Sequence, residues 1–368
     1  IEDMLMEYPY DDEYGGGSGG GGSSTCINCP QGQILVENPI SGTIFRDGKK
    51  YDGVPKVKAR ARKWFKIKTA ETNDKGEFVI KHVFGGNRKV NYGIKYTNKH
   101  ALIKPTAIGF GPAFLNGPKQ SGRWEYRSHK GSHSYLWGAL MRAVYDYHYI
   151  YAPQLRIGTP PNDVKIRACP DNDCGATTML HHTSSVTLFG RWLFSDIRIG
   201  HKNQVYEEIY ATTIHELAHA AHWKLSGDWV VSRDWKIAWA HKMVREAWAT
   251  GLKVQIYPIK FPDLGSYYFG SCNNNSNLRL QKMKDDEYPR ILIRDLIDNV
   301  NDFNVNDNNC NDLNDDVSGF TLREVFYSLQ GAHGSTTSNA LGKWRDNLIY
   351  RKSTQEENLK TYFEPWIN

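Results

Sequence analysis

"VPKVKARARKWFKIKTAET", residues 54–72, alternates small or apolar side chains with basic ones over much of its length. Val57, Ala59 and Ala61 fall on one side and Lys58, Arg60 and Arg62 on the other. A period of two is sorted into a buried face and a wet face by an extended strand. Working outward, "ILVENPISGTIFRDG" precedes this stretch, and "NDKG", "EFVIKHVF" and "VNYGIKYTN" follow it, so strand-like runs are separated by turn-forming residues. The pattern predicts a small all-β sandwich, antiparallel, over residues 34–105. Alternating Lys and Arg are what a solvated strand face and a protected sheet edge require. The basic run is therefore read as surface, ahead of a contact for nucleic acid or acidic glycans.

The chain has 368 residues, more than one hydrophobic core usually serves, so a multidomain protein is expected. Its hydrophobic fraction of 40% and charged fraction of 23% are those of a globular protein. The net charge of +6 is modest and spread out, which points neither to a nucleic-acid reader nor to a polybasic membrane binder. No apolar run reaches eighteen residues, so no transmembrane segment is expected. Residues 1–33 combine an acidic start with "GGGSGGGGSS", the composition of a flexible segment that could tether the protein to a surface. The opening "IEDMLMEYPYDDEY" is acidic where a signal peptide is basic, which leaves an intracellular chain or a processed one. The six cysteines favour the second, because they fall as local pairs: Cys26 with Cys29, Cys169 with Cys174, and Cys272 with Cys310. Such pairs suit disulfides and an oxidising compartment, so a secreted or cell-surface location is expected.

Beyond residue 105 the period becomes helical. "HSYLWGALMRAVYDYHYIYAP" places Leu136, Leu140 and Val144 on one apolar face, with Pro153 expected to end the helix. Short strand-like runs follow in "DVKIRAC", "SSVTLFGRWLF" and "SDIRIG". Two long helices are predicted next, from about Gln204 to Leu225 and from about Arg233 to Leu252. Residues 106–368 are therefore expected to form one α+β domain.

The first of those helices carries "ATTIHELAHAAHWKL", residues 211–225. His215 and His219 are four apart, so their imidazoles lie on one helix face at a spacing that one small cation bridges. Glu216 lies beside the first. In H-E-x-x-H, two histidines hold Zn²⁺ and the glutamate takes the proton of an attacking water. Ala218, Ala220 and Ala221 suit a helix packed inside a domain, where unpaired imidazoles are costly. Catalytic zinc takes a third protein ligand. The metzincin continuation is excluded, because Ala221 stands at its glycine and Leu225 at its third histidine. His222, at i+3 from His219, is poorly placed to close a tetrahedron. Glu246, in "MVREAWATG" on the next helix, is the better candidate, since a separate helix can approach from the side.

"HELAH" followed by "REAWA" resembles the gluzincin branch of zinc metallopeptidases. The resemblance implies a zincin-like fold, with His215, His219 and Glu246 as ligands and Glu216 as general base. Many gluzincins place an Asp four residues after the ligand glutamate to hold a ligand histidine. Thr250 stands there in this chain, so Thr250 or a backbone carbonyl is expected to hold the ring. The stretches "SGTIFRDGKKYDGVPKVKARA", "TNDKGEFVI" and "VNYGIKY" are similar to the carboxypeptidase regulatory-like, transthyretin-like domain. The whole arrangement resembles secreted metallopeptidases of Bacteroidetes-type bacteria.

Hydrolysis also needs an oxyanion stabiliser. Tyr267, Tyr268, His241 and Arg245 are the candidates. "SDIRIG" is expected as the edge strand that pairs with an extended protein or peptide substrate. In residues 304–320, Asn314, Asp316, Ser318 and Gly319 approach a Ca²⁺ loop, but the closing acid, Glu324, comes one position early. Two rival readings stand beside the peptidase. One is a binding or adhesion protein with a non-catalytic zinc site, and the other a zinc amidase acting on cell-wall peptides. Glu216 favours hydrolysis over the first, since a structural site has no use for an acid beside its ligand.

Overall fold

The computed structural model describes residues 26, 28–85, 89–105, 111–169, 177–178, 196–200, 205–226, 235–264, 293, 296–297, 317–332 and 339–367. The chain begins with β1 (Gln31–Glu37), β2 (Ile44–Arg46) and β3 (Lys49–Gly53), paired antiparallel in the order β1-β3-β2. A hairpin of β4 (Lys58–Lys63) and β5 (Lys66–Glu71) follows. Next, β6 (Glu77–Val79) returns to β1, and β7 (Val90–Lys95) pairs with β4. As the alternation predicts, Val57, Ala59 and Ala61 are fully buried while Lys58 and Arg62 are exposed. The turn before β6 is built by Asn73, whose side-chain oxygen accepts from the backbone N–H groups of Lys75 and Glu77. Gly76 there has φ +76, which an L side chain rarely adopts.

The sandwich does not close within residues 34–105. β8 (Ala101–Lys104) leaves it and pairs parallel with a later strand, residues 164–169, while β9 (Phe114–Gln120) and β10 (Arg123–Ser128) come back to complete it. β9 adds antiparallel to β7, giving a four-stranded sheet β5-β4-β7-β9. β10 adds parallel to β1, with Gln31 opposite Arg123 and Val36 opposite Ser128, so the first sheet is not wholly antiparallel. The two sheets meet through Phe78, Tyr92 and Trp124, whose rings lie 5.2–6.3 Å apart. Strand pairing thus changes partners on both sides of the boundary expected at 105.

Helix α1 (His133–Asp146) packs on this sheet, with Gly138 close enough to Val36 and Val54 that an added Cβ would stand 3.1–3.3 Å from their side chains. Leu136, Leu140 and Val144 are all buried, as their spacing predicts. Pro153 does not end the helix. A π turn over Tyr147–Tyr151 leads into α2 (Ala152–Leu155), with the proline in its first turn, and Arg156 at φ 54 ends the run. The wider turn resets the hydrogen-bond ladder, and the missing N–H of a proline is harmless in a first turn.

A third sheet, in the order β12-β13-β11-β8, joins β11 (Val164–Cys169), β12 (Thr177–Thr178) and β13 (Ile197–Gly200) to β8. β13 is parallel to β11 on one side and antiparallel to β12 on the other, so "SDIRIG" is not the edge strand expected. Then come α3 (Tyr206–Ser226), lying against β12 and β13, and α4 (Trp235–Lys260), followed by α5 (Leu322–Ser328), α6 (Ala340–Arg351) and α7 (Glu356–Ile367). α4 runs two turns past the end expected at Leu252. Gly251 does not break it, because that position lies against Ile293, where an added Cβ would stand 2.4 Å away.

The extension has a purpose visible in its last residue. Lys260 Nζ lies 2.9 Å from Asp52 Oδ2 of β3 and 3.7 Å from Asp146 Oδ2 of α1. Asn38 and the Tyr206 hydroxyl donate to Asp52 at 2.9 and 3.0 Å, and the Tyr210 hydroxyl donates to Asp146 at 2.7 Å. Arg142 Nη2 stands 2.9 Å from Asp146 Oδ1. Asp52 is buried, which by itself raises a carboxyl pKa, yet Lys260 and Arg142 hold it below the ordinary value. One buried network therefore ties the sandwich, α1, α3 and α4 together.

Cys26 and Cys29 form a disulfide, and Cys169 is bonded to a cysteine outside the described residues. Cys174, Cys272 and Cys310 lie there too. Among the described residues no helix is long and apolar enough to cross a membrane.

Candidate metal centre

The site is built by α3 and α4 where they pack side by side. Ala218, Ala220 and Ala221 of α3 are buried, as are Ala247 and Ala249 of α4. Small residues let the helix axes approach closely. Trp248, fully buried on α4, donates its Nε1–H to the Ala218 carbonyl at 3.2 Å, pinning the helices together between the two histidines' turns and Glu246.

Within that interface three ligand atoms converge. His215 Nε2 and His219 Nε2 stand 3.1 Å apart. Glu246 Oε2 lies 3.3 Å from the first and 3.5 Å from the second. The imidazole rings meet edge to face at 90°, with centroids 4.6 Å apart. A tetrahedral zinc with ligand distances near 2.0–2.2 Å has ligand atoms roughly 3.3–3.5 Å apart. Two of the observed edges fall in that range and the third, 3.1 Å, is slightly shorter, so the residues present fit the ion.

The electrostatics agree with the geometry. Burial by itself raises the Glu246 carboxyl, but hydrogen bonds and charge from His215 and His219 outweigh it and hold the group well below the ordinary carboxylate range. Burial lowers His215, which favours the neutral, ligating imidazole, while Glu246 partly opposes that shift. The cluster thus combines one carboxylate with two imidazole nitrogens at close range. Arg245, half-buried beside Glu246 in sequence, is lowered by burial and partly restored by that carboxylate.

Of the residues read from the sequence, His215, His219 and Glu246 are brought together, and they are the one such cluster among the described residues. Glu216 is buried on α3 at 4% exposure. His222 is fully buried on the same helix and is not part of the cluster. Thr250 is buried on α4 but does not hold His215: its Nδ1 has no hydrogen-bond partner among the described residues. The backbone of His241 lies in α4, and its side chain is outside the described residues, as are Tyr267 and Tyr268. Most of the 304–320 loop lies outside them as well. Glu324, read as the closing acid of that loop, has a local role. Its carboxylate accepts from the Thr321 N–H at 2.8 Å while Thr321 Oγ1 accepts from the Glu324 N–H at 3.2 Å, a capping box that starts α5.

Sequence reasoning missed the network around Asp52 and Asp146, which fixes both site helices at their far ends. Its local signals were Arg142 four residues before Asp146 and two tyrosines, Tyr206 and Tyr210, four apart on α3. Comparison with family models, with curated proteins and with solved structures finds no match to this chain.

Proposed function

We propose that this protein is a zinc-dependent peptidase of gluzincin type with a zincin-like catalytic region, in which His215, His219 and Glu246 hold the ion and Glu216 is the general base. The observation that carries the reading is the 3.1, 3.3 and 3.5 Å triangle of ligand atoms contributed by two helices, with a buried acid adjacent to the first ligand. Zn²⁺ bound there supplies Lewis acidity toward a scissile carbonyl and a lowered pKa for the attacking water. Glu216 takes the proton as the water oxygen bonds to the carbonyl carbon. It returns that proton to the amine nitrogen as the C–N bond breaks. Its burial keeps bulk water from competing for the proton.

An extended protein or peptide substrate is the class this arrangement suits. Among the described residues β12 is the outer, antiparallel strand of the sheet beside α3, and a peptide could add along such an edge. The disulfides support a secreted or surface-exposed protein. The test is digestion of a proteome-derived peptide library by the purified protein, with and without a chelator, alongside metal analysis. Near-stoichiometric zinc and chelator-sensitive cleavage are expected. Absence of zinc, or cleavage that the chelator leaves intact, would overturn the reading.

A further inference from the structure

The apex of the β4–β5 hairpin is made of residues that its own fold does not call for. Lys63 pairs with Lys66, so Trp64 and Phe65 alone form a two-residue turn. Trp64 has φ 54, in the left-handed region where two-residue hairpins take Asn, Asp or Gly and a bulky side chain is disfavoured. Neither ring reaches a core: Trp64 is 83% exposed and Phe65 99%. A single exposed apolar residue needs no explanation. Two adjacent large aromatics on a strained, solvent-facing tip work against both turn geometry and burial.

Their surroundings add a second, independent observation. Lys56, Lys58, Arg60, Arg62, Lys63, Lys66 and Lys68 are seven basic residues, and residues 54–70 contain no acidic one. Salt bridges draw off little of this charge: Lys56 pairs with Glu71 at 3.8 Å, and Lys63 is hydrogen-bonded to the Gly85 carbonyl. β5 is the edge strand of its sheet and is exposed along almost its whole length, so the hairpin projects into solvent.

We propose that this apex docks the protein on an anionic lipid bilayer, with Trp64 and Phe65 entering the boundary between headgroups and acyl chains. Aromatic rings favour that depth, and groups lying in the interface are buried about 5–10 Å. One residue back on each strand, Lys63 and Lys66 then sit at the level of the lipid phosphates, with Arg62 and Lys68 close behind. Basic residues near such a surface are attracted by its negative potential within about a Debye length. Nucleic acids and acidic glycans meet the same charge requirement, but rings that bind single strands form platforms on which successive bases stack. Here the two rings sit side by side at a turn, bordering an open cleft with His82, Val83 and Phe84, rather than in a row along a strand. The proposal is independent of the metal centre.

The test is co-sedimentation of the full chain with vesicles of mixed phosphatidylglycerol and phosphatidylcholine, and with vesicles of phosphatidylcholine alone. Binding to the mixed vesicles is expected, weakening as salt is raised and on the order of tenfold or more weaker on the neutral ones. The double variant Trp64→Gly with Phe65→Asn puts glycine at the one turn position that has a positive φ, so the hairpin is retained. It should lose roughly tenfold or more in vesicle partitioning while its thermal midpoint stays the same or rises. Lys63→Glu with Lys66→Glu should abolish binding to the mixed vesicles. Failure of the unaltered chain to sediment with mixed vesicles would overturn the proposal, as would undiminished binding by the Gly-Asn variant. Binding to heparin or an oligodeoxynucleotide that the same variant loses, without vesicle binding, would reassign the apex to a soluble polyanion and overturn it too.

Discussion

Helices α3 and α4 carry two buried polar clusters, one towards each end of their contact, and the two are built on opposite principles. Around Asp52 and Asp146, two carboxylates meet two cations, Lys260 and Arg142, together with tyrosine hydroxyls and an amide. The charges cancel. Around His215 and His219, one carboxylate meets two imidazoles, and the three donor atoms lie within 3.5 Å of one another. That cluster contains no lysine or arginine. Buried polar groups need partners; the first cluster supplies its own cations, whereas the second is the one in which the proposed zinc would be shared. This contrast separates scaffold from site without reference to any relative.

The contrast predicts different responses to mutation. Glu216→Gln should lower peptide cleavage about 10³-fold, within the range for a lost general base, while bound zinc measured by mass spectrometry stays unchanged. Retained cleavage would remove Glu216 from the mechanism. Lys260→Met should destabilise the fold by about 3–5 kcal/mol in urea unfolding, because it leaves two buried carboxylates with one cation, and should do so with or without zinc. A loss below about 1 kcal/mol would show that the network is not the scaffold described. At the other cluster, Glu246→Gln should destabilise the metal-free protein, because His215 and His219 favour the carboxylate there, but by less than Lys260→Met does. It should abolish the gain from added zinc, expected to be about 2.7 kcal/mol at a hundredfold excess over Kd, which differential scanning calorimetry would read.

The smallest effect tests a buried ring outside both clusters. His148, stacked on His100 with centroids 3.9 Å apart, is pushed down to about 3 by burial, with His100, Lys224 and Lys99 adding repulsion. An unfolded histidine titrates near 6.5. Below that pH the unfolded chain takes up a proton that the folded one refuses. Stability from this ring is therefore present in full above about pH 6.5 and lost as pH falls toward 3, at up to about 1.4 kcal/mol per pH unit. His148→Phe should show a shallower decline between pH 6.5 and 5 in parallel urea titrations; equal slopes would sink the assignment.

What the sequence disclosed follows the range of the interactions involved. The sandwich strands and the faces of α1 were legible because period two and period 3.6 are written in consecutive residues. The ligand pair was legible for the same reason, since a four-residue spacing on a helix is a distance. Glu246 could be named because the next helix supplies the third side of a site. The end of α4 was not legible, because nothing local to Leu252 shows that Gly251 packs against Ile293 and that the helix continues. Lys260 and Asp52 are 208 residues apart, and nothing local marks them as partners. β13 read as an edge because the strand covering it arrives from elsewhere. The return of β9 and β10 to the sandwich was hidden likewise, since pairing of β1 with β10 leaves no trace in either strand alone. At the hairpin apex the alternation was read correctly as a solvated face, but it gave no reason for two aromatics at the turn.

The interleaving of β8, β9 and β10 has a consequence for heredity as well as for shape. A segment cut at residue 105 would carry β1 without β10 and β7 without β9, two open edges of the kind that recruit other chains into aggregates. It would also carry β8 with no neighbour from its own sheet. Gene recombination could not lift this sandwich out as a cassette and graft it elsewhere. On the ribosome, likewise, β1 must wait for Ser128 to emerge before its parallel partner is whole. The front of this protein is inherited, and made, together with the helices behind it.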